Sequence, residues 1–248
     1  MTLEPQRWTP GLVGMATPAD CAYLRVMQNY STVPLAGGLA VNRLRAIYFA
    51  LDFATFVENI KAGAWAKAEQ QISNAAQSLK AAGADFLVVT SNTGATLAGP
   101  AKAQTELPIL DIVAVALAEV RRLGFSRAGL LSTIRTDHAR SYQLAAEKRG
   151  VSVLSPSRSL AERIERLIFE ELIAGKTSKA AFQAIRDAAS AFAAEGAECV
   201  ILGCTDFVHL NDGSLSNAAL PLIDTTVLHA QAAARAALEG RIEPTNRT

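Results

Sequence analysis

The chain repeats part of itself at a fixed offset of 113 residues, and no other feature restricts the fold as strongly. The segment Gly83-Ala84-Asp85-Phe86-Leu87-Val88-Val89-Thr90-Ser91-Asn92-Thr93 aligns without a gap on Gly196-Ala197-Glu198-Cys199-Val200-Ile201-Leu202-Gly203-Cys204-Thr205-Asp206. At the same offset Leu107-Pro108-Ile109-Leu110-Asp111 aligns on Leu220-Pro221-Leu222-Ile223-Asp224. Each copy is a short apolar run ending in a small polar turn, the pattern of a buried strand that delivers polar side chains at its carboxyl end. Two copies predict two similar lobes, with Cys204 standing where the first copy has Ser91. Equivalent side chains facing one ligand from opposite sides would suit moving a proton off one face of a carbon and onto the other.

The rest of the chain alternates in the same style. Apolar runs at 11–14, 46–51, 86–89, 127–131, 152–154 and 199–202 are expected as strands. Between them, 65–82, 135–149, 160–174 and 179–195 carry apolar residues near the 3.6-residue helical spacing. Strands alternating with helices predict an α/β fold with parallel sheets covered on both faces. The expected architecture is two pseudo-symmetric Rossmann-like lobes, each a mainly parallel sheet flanked by helices, with the site in the cleft between them. Asp224-Thr225-Thr226 offers N-caps for a last Ala-rich helix. Because that helix follows the second lobe's strand, the chain is expected to cross back. The expected domains are 1–115 plus 220–248 and 116–219.

Composition excludes several function classes. Half of the 248 residues are hydrophobic, ample for a real core, and the net charge is +1 with no clustered Lys/Arg stripe to attract nucleic acid or an anionic membrane. No apolar run approaches the roughly 20 residues of a membrane span, and the first residues lack the basic and apolar regions of a signal peptide. Three cysteines without a CxxC pair suit a reducing compartment, so a cytoplasmic location is expected. Three scattered histidines, His138, His209 and His229, lack metal-site spacing, and Gly11-Leu12-Val13-Gly14 lacks the further glycine of a dinucleotide fingerprint. Neither a metal nor a nucleotide cofactor is expected.

In open parallel sheets, ligands bind beyond the carboxyl ends of the strands. Ser91, Thr133 and Cys204 fall at such ends, as does Thr17 if the first strand is correctly placed. Cys199, inside an apolar run, and Cys21, in an early helix, read as structural buried cysteines. Cys204 opens a Cys-Thr-Asp turn beside backbone N–H groups and hydroxyls, which are expected to lower its thiol pKa toward neutrality.

At these positions the chain resembles the cofactor-independent aspartate/glutamate/hydantoin racemases. Leu202-Gly203-Cys204-Thr205-Asp206 is similar to the family's Leu-Gly-Cys-Thr-Glu, and Ser91-Asn92-Thr93 to its Cys-Asn-Thr. Asp224-Thr225-Thr226 with His229 resembles its Asp-Thr-Thr-x-x-His, and Ile168-Phe169-Glu170-Glu171-Leu172 a helix core. Leu51-Asp52-Phe53 and Gly129-Leu130-Leu131-Ser132-Thr133 resemble its strand ends. The resemblance implies racemization without pyridoxal phosphate or metal: one cysteine thiolate removes the α-proton of an amino acid while an opposed thiol returns a proton to the other face. It also implies a homodimer. Asn92, Thr93, Thr133 and Thr205, with backbone N–H groups, are the matching donors for the substrate carboxylate.

Two departures matter. Ser91 replaces a cysteine, and a serine hydroxyl ionises far above a thiol, so Cys204 is expected to be the principal base and turnover to be asymmetric. Gly94-Ala95 replaces a bulkier residue and a His, which is expected to widen the pocket. For an acidic substrate the family places an Arg after a Gly-Gly-Leu stretch, here Gly37-Gly38-Leu39. Counting forward from Gly38 favours Arg43, and counting back from Asp52 favours Arg45; a guanidinium there could grip a distal carboxylate bidentately. The expected function is an aspartate or glutamate racemase with a small acidic amino acid as its partner. A single-cysteine decarboxylase or isomerase of the same superfamily and a non-catalytic acidic-ligand binder remain as alternatives.

Overall fold

The two aligned runs are both strands, and every residue in each is buried. They lie in two four-stranded sheets of the computed structural model, which describes residues 6–34, 40–210 and 213–242. In chain order the elements are β1 (Pro10–Gly14), α1 (Thr17–Tyr30), β2 (Thr32–Pro34), β3 (Ala40–Asn42), β4 (Ile47–Ala50), α2 (Phe53–Lys61), α3 (Trp65–Ala81), β5 (Phe86–Val89), α4 (Asn92–Ala95), α5 (Gly99–Thr105), β6 (Ile109–Leu110) and α6 (Ile112–Arg122). There follow β7 (Arg127–Ser132), α7 (Ile134–His138), α8 (Ser141–Glu147), β8 (Ser152–Leu154), α9 (Arg158–Glu170), α10 (Lys179–Ala194), β9 (Cys199–Gly203), β10 (Leu222–Asp224) and α11 (Thr225–Glu239). Tighter 3-10 turns occupy Leu172–Ala174 and Thr205–Leu210.

The repeat in sequence is a repeat in topology. One sheet runs β4-β1-β5-β6 and the other, read from its far edge, β8-β7-β9-β10. All their strand pairs are parallel. Even the residue before each aligned strand keeps its task. Asp85 Oδ2 accepts the Thr9 N–H at 2.6 Å, and its equivalent Glu198 accepts the N–H groups of Ser126 at 2.7 Å and Arg127 at 2.9 Å. Each carboxylate thereby ties the start of its own strand to the start of the neighbouring one. The Ser126 N–H is the main reason the Glu198 carboxyl is held below its ordinary range.

The chain divides into two compact units. Among the described residues, one comprises those up to Asp111 together with 229–242, and the other those between Ile112 and Leu228. In the first, Val13, Leu87 and Val89 pack on Ile72, Ala75, Ala76 and Leu79 of α3. Their neighbours Leu12, Phe86 and Val88 are buried on the opposite sheet face, as the period of two requires. In the second, Leu131, Val200 and Leu202 meet Ile164 and Ile168 of α9 and Ala184, Ile185, Ala188 and Phe192 of α10. Among the described residues no helix is long and apolar enough to cross a membrane.

Several elements depart from the sequence reading. The boundaries 1–115 plus 220–248 and 116–219 assign Leu222–Asp224 to the first lobe, but β10 pairs with β9 in the second unit's sheet. The crossing instead falls inside α11, between Leu228 and His229. The helix expected over 135–149 is broken into α7 and α8 at Arg140, whose φ of 52° is left-handed. Strands β2 and β3 form an antiparallel pair that alternation did not signal. Cys21, expected as a buried structural cysteine, is exposed, whereas Cys199 is buried and its thiol is pushed up to about 12, chiefly by that burial.

His229 is fully buried in the first unit. Its Nε2 lies 3.0 Å from the Leu110 carbonyl and its Nδ1 2.7 Å from the Tyr23 hydroxyl. A carbonyl can only accept, so Nε2 carries the proton and Nδ1 accepts from Tyr23. The neutral ring thus pins α1, β6 and α11 together. Burial holds its pKa down at about 4 against an ordinary 6.5.

Two stability predictions follow from this packing. The His229 contribution is fully present above pH 6.5 and is lost as pH falls from 6.5 toward about 4, because only the unfolded chain takes up the proton in that window. Urea midpoints across it should show a steeper pH dependence for wild type than for His229→Gln, which retains a donor and an acceptor but cannot titrate. At Gly129 on β7 an added Cβ would lie 2.4 Å from ring atoms of Phe192. Gly129→Ala should therefore cost about 1–3 kcal/mol in equilibrium unfolding, the usual penalty of an overpacked core.

Candidate functional site

The Cys204 turn is built by the register of two buried strands. The β7–β9 ladder ends at the pair Ser132↔Gly203, so Thr133 and Cys204 are the next residues at the carboxyl ends of adjacent strands. Gly203 permits this close passage, since a Cβ there would lie 2.7 Å from Leu130 Cδ1 and 3.2 Å from the Leu131 carbonyl oxygen. The first turn of α11 then braces the segment. Thr225 Oγ1 donates to the Leu202 carbonyl at 2.7 Å, and Thr226 Oγ1 donates to the Thr205 carbonyl at 3.0 Å. Asp224 Oδ1 caps the same helix by accepting from the Thr226 and Val227 N–H groups. Carbonyls on both sides of Cys204 are thus fixed by threonines that the sequence presented as helix caps and as part of a family-like motif.

The electrostatics around Cys204 reverse the expectation of a lowered thiol pKa. Cys204 is buried against the second unit's core, and its Sγ donates to Asp206 Oδ2 at 3.5 Å. Burial pushes the thiol well above its ordinary value, and the Asp206 carboxylate and, less strongly, Glu165 push the same way. The Thr225 and Thr226 hydroxyls are spent on carbonyls, while the Asp206 N–H pulls the thiol the other way without offsetting the burial. Asp206 itself is buried at 4 % exposure, as is Thr205 at 5 %. Thr133 is half-buried and caps α7, its Oγ1 accepting the Thr136 N–H at 3.3 Å. Glu165 reaches the same corner from α9, accepting the Ile134 N–H at 2.8 Å.

In the first unit Ser91 follows β5 at the equivalent point and is half-buried. Its Oγ accepts the Gly94 N–H at 3.0 Å, capping the one-turn helix α4 that carries Asn92, buried, and Thr93, half-buried. Gly94 does not open space as expected: a Cβ there would meet Met15 Cε at 2.6 Å and Val89 Cγ1 at 3.1 Å, so those side chains already occupy it. Thr17 opens α1 and is exposed.

Beside Ser91, a polar cluster escaped the sequence reading. Asp20 is buried on α1, with Thr90 Oγ1 donating to its Oδ1 and the Tyr48 hydroxyl donating to its Oδ2 at 2.8 Å. Burial raises the Asp20 pKa despite these donors. The three residues come from segments far apart in sequence, so no local motif announces them.

Arg43 and Arg45 precede β4, whereas Ser91 follows the parallel strand β5. The segment is tied at the amino end of the sheet, where the Arg45 N–H and carbonyl both bond the side chain of Gln6, which precedes β1. Arg43 is half-buried and Arg45 exposed. The Gly37-Gly38-Leu39 stretch used to choose between them lies outside the described residues. His138 is exposed and His209 half-buried, and among the described residues no three His, Cys, Asp or Glu side chains gather as metal ligands.

Known proteins share both the sequence pattern and this architecture. Residues 42–233 match the Asp/Glu/Hydantoin racemase family. The crystal structure of a candidate Asp/Glu racemase from Yersinia pestis is similar at a TM-score of 0.79 and 33% identity, over 93% of this chain and 99% of that one. An aspartate racemase homologue from Pyrococcus horikoshii OT3 superposes at a TM-score of 0.75 with 24% identity, over 93% of this chain and 99% of that one. The glutamate racemase of Francisella tularensis, in complex with D-glutamate, shares the fold at a TM-score of 0.63 and 15% identity, over 97% of this chain and 85% of its own. With a family match over most of its length, two equivalent strand-end turns and a cysteine in the second of them, the chain belongs to the Asp/Glu/hydantoin racemase family.

Proposed function

We propose that the protein is a cofactor-independent racemase of aspartate or glutamate, with Cys204 as the principal base and Ser91 serving the opposite face of the α-carbon. The observation that carries the reading is Cys204 itself, held at the carboxyl end of β9 in a turn whose flanking carbonyls are fixed by Thr225 and Thr226. An acidic amino acid is supported by the family match. The placement of Arg43 and Arg45 adds nothing to that support, so a distal carboxylate grip by either, like a contact from Thr17, rests on the resemblance. The protein would act as a cytoplasmic homodimer.

The chemistry asks two things of the site. An α-proton beside a carboxylate is a very weak acid, so the developing enediolate needs donors aimed at it; Asn92, Thr93, Thr133, Thr205 and the backbone N–H groups of both turns take that part. A proton must also arrive from the other face. Ser91 can donate or relay one, but its hydroxyl holds no useful fraction of conjugate base at neutral pH. Turnover is accordingly faster for the enantiomer whose α-proton meets Cys204.

Proton NMR of the reduced protein in heavy water, with L- and D-aspartate and L- and D-glutamate, tests this directly. Exchange with inversion is expected for at least one amino acid, with Cys204→Ser reducing it by about a hundredfold or more. Ser91→Cys should speed the slower direction. A Cys204→Ser variant as active as wild type, together with a Ser91→Cys variant no faster, would sink the assignment. One observation favours a second reading, a single-cysteine decarboxylase: Ser91 Oγ is engaged as a helix cap by Gly94 N–H. Carbon dioxide release from a malonate without α-proton exchange would select it, and neither reaction would leave a non-catalytic binder.

A further inference from the structure

We infer that Asp20 rests as a neutral carboxylic acid that donates its proton to Thr90, and that through this bond it positions the end of β5 from which Ser91 projects. The catalytic meaning of that positioning rests on the racemase reading. The protonation state follows from a count of protons. Thr90 Oγ1 lies within bonding distance of Asp20 Oδ1 and also 3.1 Å from the Val13 carbonyl. A hydroxyl has one proton to give, and a carbonyl can only accept. With Asp20 ionised, Thr90 donates to the carboxylate and its contact with Val13 holds no proton. With Asp20 neutral, the acid donates from Oδ1 to Thr90, Thr90 donates to Val13, and Tyr48 donates to Oδ2 at 2.8 Å. The neutral form alone gives each of these three oxygen pairs its own proton, and the Met15 N–H serves the carboxyl group in either state.

The surroundings favour that form. Asp20 and Thr90 are each 1 % exposed, and burial, the largest influence on the Asp20 pKa, raises it. The titratable groups around it bring no positive charge. They are Tyr48 from β4, Cys21 beside it on α1 and, a turn further along that helix, Tyr23, which bonds the neutral His229 of α11. Tyr48 can reach the acid because Gly14 ends β1, where an added Cβ would lie 2.2 Å from the phenol ring.

The cluster sits where the first unit's turn begins. The β1–β5 ladder ends at the pair Val13↔Val89, and Thr90 closes it with its N–H and its hydroxyl on the Val13 carbonyl, each at 3.1 Å. The next residue is Ser91. Ionising Asp20 would draw the Thr90 proton off Val13, loosening that closure and leaving a charge buried under α1. Asp20 is therefore a positioning residue acting through Thr90.

Carbon-13 NMR of aspartate-labelled protein tests this, with the Asp20 carboxyl signal identified by its loss in Asp20→Asn. The signal should still be that of a protonated acid at neutral pH. Thr90→Val separates the two directions of the bond. It removes an acceptor from the neutral acid, so Asp20 should ionise at lower pH; had Thr90 been donating to a carboxylate, the ionisation would move up instead. Urea midpoints of wild type should also fall relative to those of Asp20→Asn as pH rises from 3.8, since there the unfolded aspartate gives up its proton while the folded one keeps it.

With aspartate or glutamate in heavy water, Asp20→Asn, whose amide can donate to Thr90 and accept from Tyr48, should exchange α-protons at least about tenfold faster than Asp20→Ala. It should also hold its rate at alkaline pH, where wild type slows. An Asp20 carboxylate signal at neutral pH overturns the inference, as does an ionisation that moves up in Thr90→Val; the first is read from wild type even if that variant does not fold. Equal exchange by Asp20→Ala and Asp20→Asn overturns the positioning of Ser91. An Asp20 that titrates as expected in a protein exchanging no α-proton counts against the racemase reading and not against the neutral acid.

Discussion

A strand buried on both faces can present chemistry at its ends alone, and this constraint governs the whole molecule. β5 and β9 are apolar and covered along their full length, so the polar residues that follow them are the first to leave the core. Parallel pairing then brings neighbouring carboxyl ends to one edge. In the second unit it sets Thr133 beside Cys204, and in the first it sets Gly14 and Ala50 near the end of β5. Helices follow immediately, and their opening residues complete the turns. Thr225 and Thr226 reach back to carbonyls around Cys204, and Asp20 in the first turns of α1 receives Thr90.

Burial that makes the turn precise also makes its thiol hard to ionise. Desolvation disfavours the thiolate, and Asp206 adds a like charge. Lowered thiol pKa values depend on a nearby cation, metal or helix N-terminus, and the Cys204 turn is followed by a 3-10 segment that begins Thr205-Asp206. A carboxylate here does the reverse of a cation and adds to the burial that favours the protonated sulfur.

Much of the fold was legible because it repeats. The aligned strands follow from one offset, periodicity located α3 and α10 to within a residue or two, and the Asp-Thr-Thr caps located the start of α11. What sequence could not show was of three kinds. Strands of two or three residues, β6 and β10, are too short for alternation to register, and this misplaced the crossing between units. The break at Arg140 is a single left-handed residue with no glycine to mark it. The Asp20, Tyr48 and Thr90 cluster exists only after α1, β4 and β5 have met. The candidate site divides the same way: Ser91, Thr133 and Cys204 lie at strand ends as read, whereas the sign of the field at Cys204 depends on Glu165, 39 positions away, and on which way Asp206 turns.

The two copies keep one backbone plan and differ in the chemistry hung upon it. Ser91 answers Cys204, Asn92 answers Thr205 and Thr93 answers Asp206 at the offset of 113. In the first copy the strand-end hydroxyl accepts a backbone N–H and caps a helix; in the second the thiol donates to a carboxylate. The acidic group moves as well. Where the second copy supplies Asp206 from its own turn, the first receives Asp20 from a neighbouring helix, through Thr90, the residue before Ser91. By placing the carboxyl group next to the sulfur in one copy and one residue behind the hydroxyl in the other, this sequence makes the two strand-end turns unequal, and the inequality extends beyond the exchange of sulfur for oxygen to the acidic groups beside them.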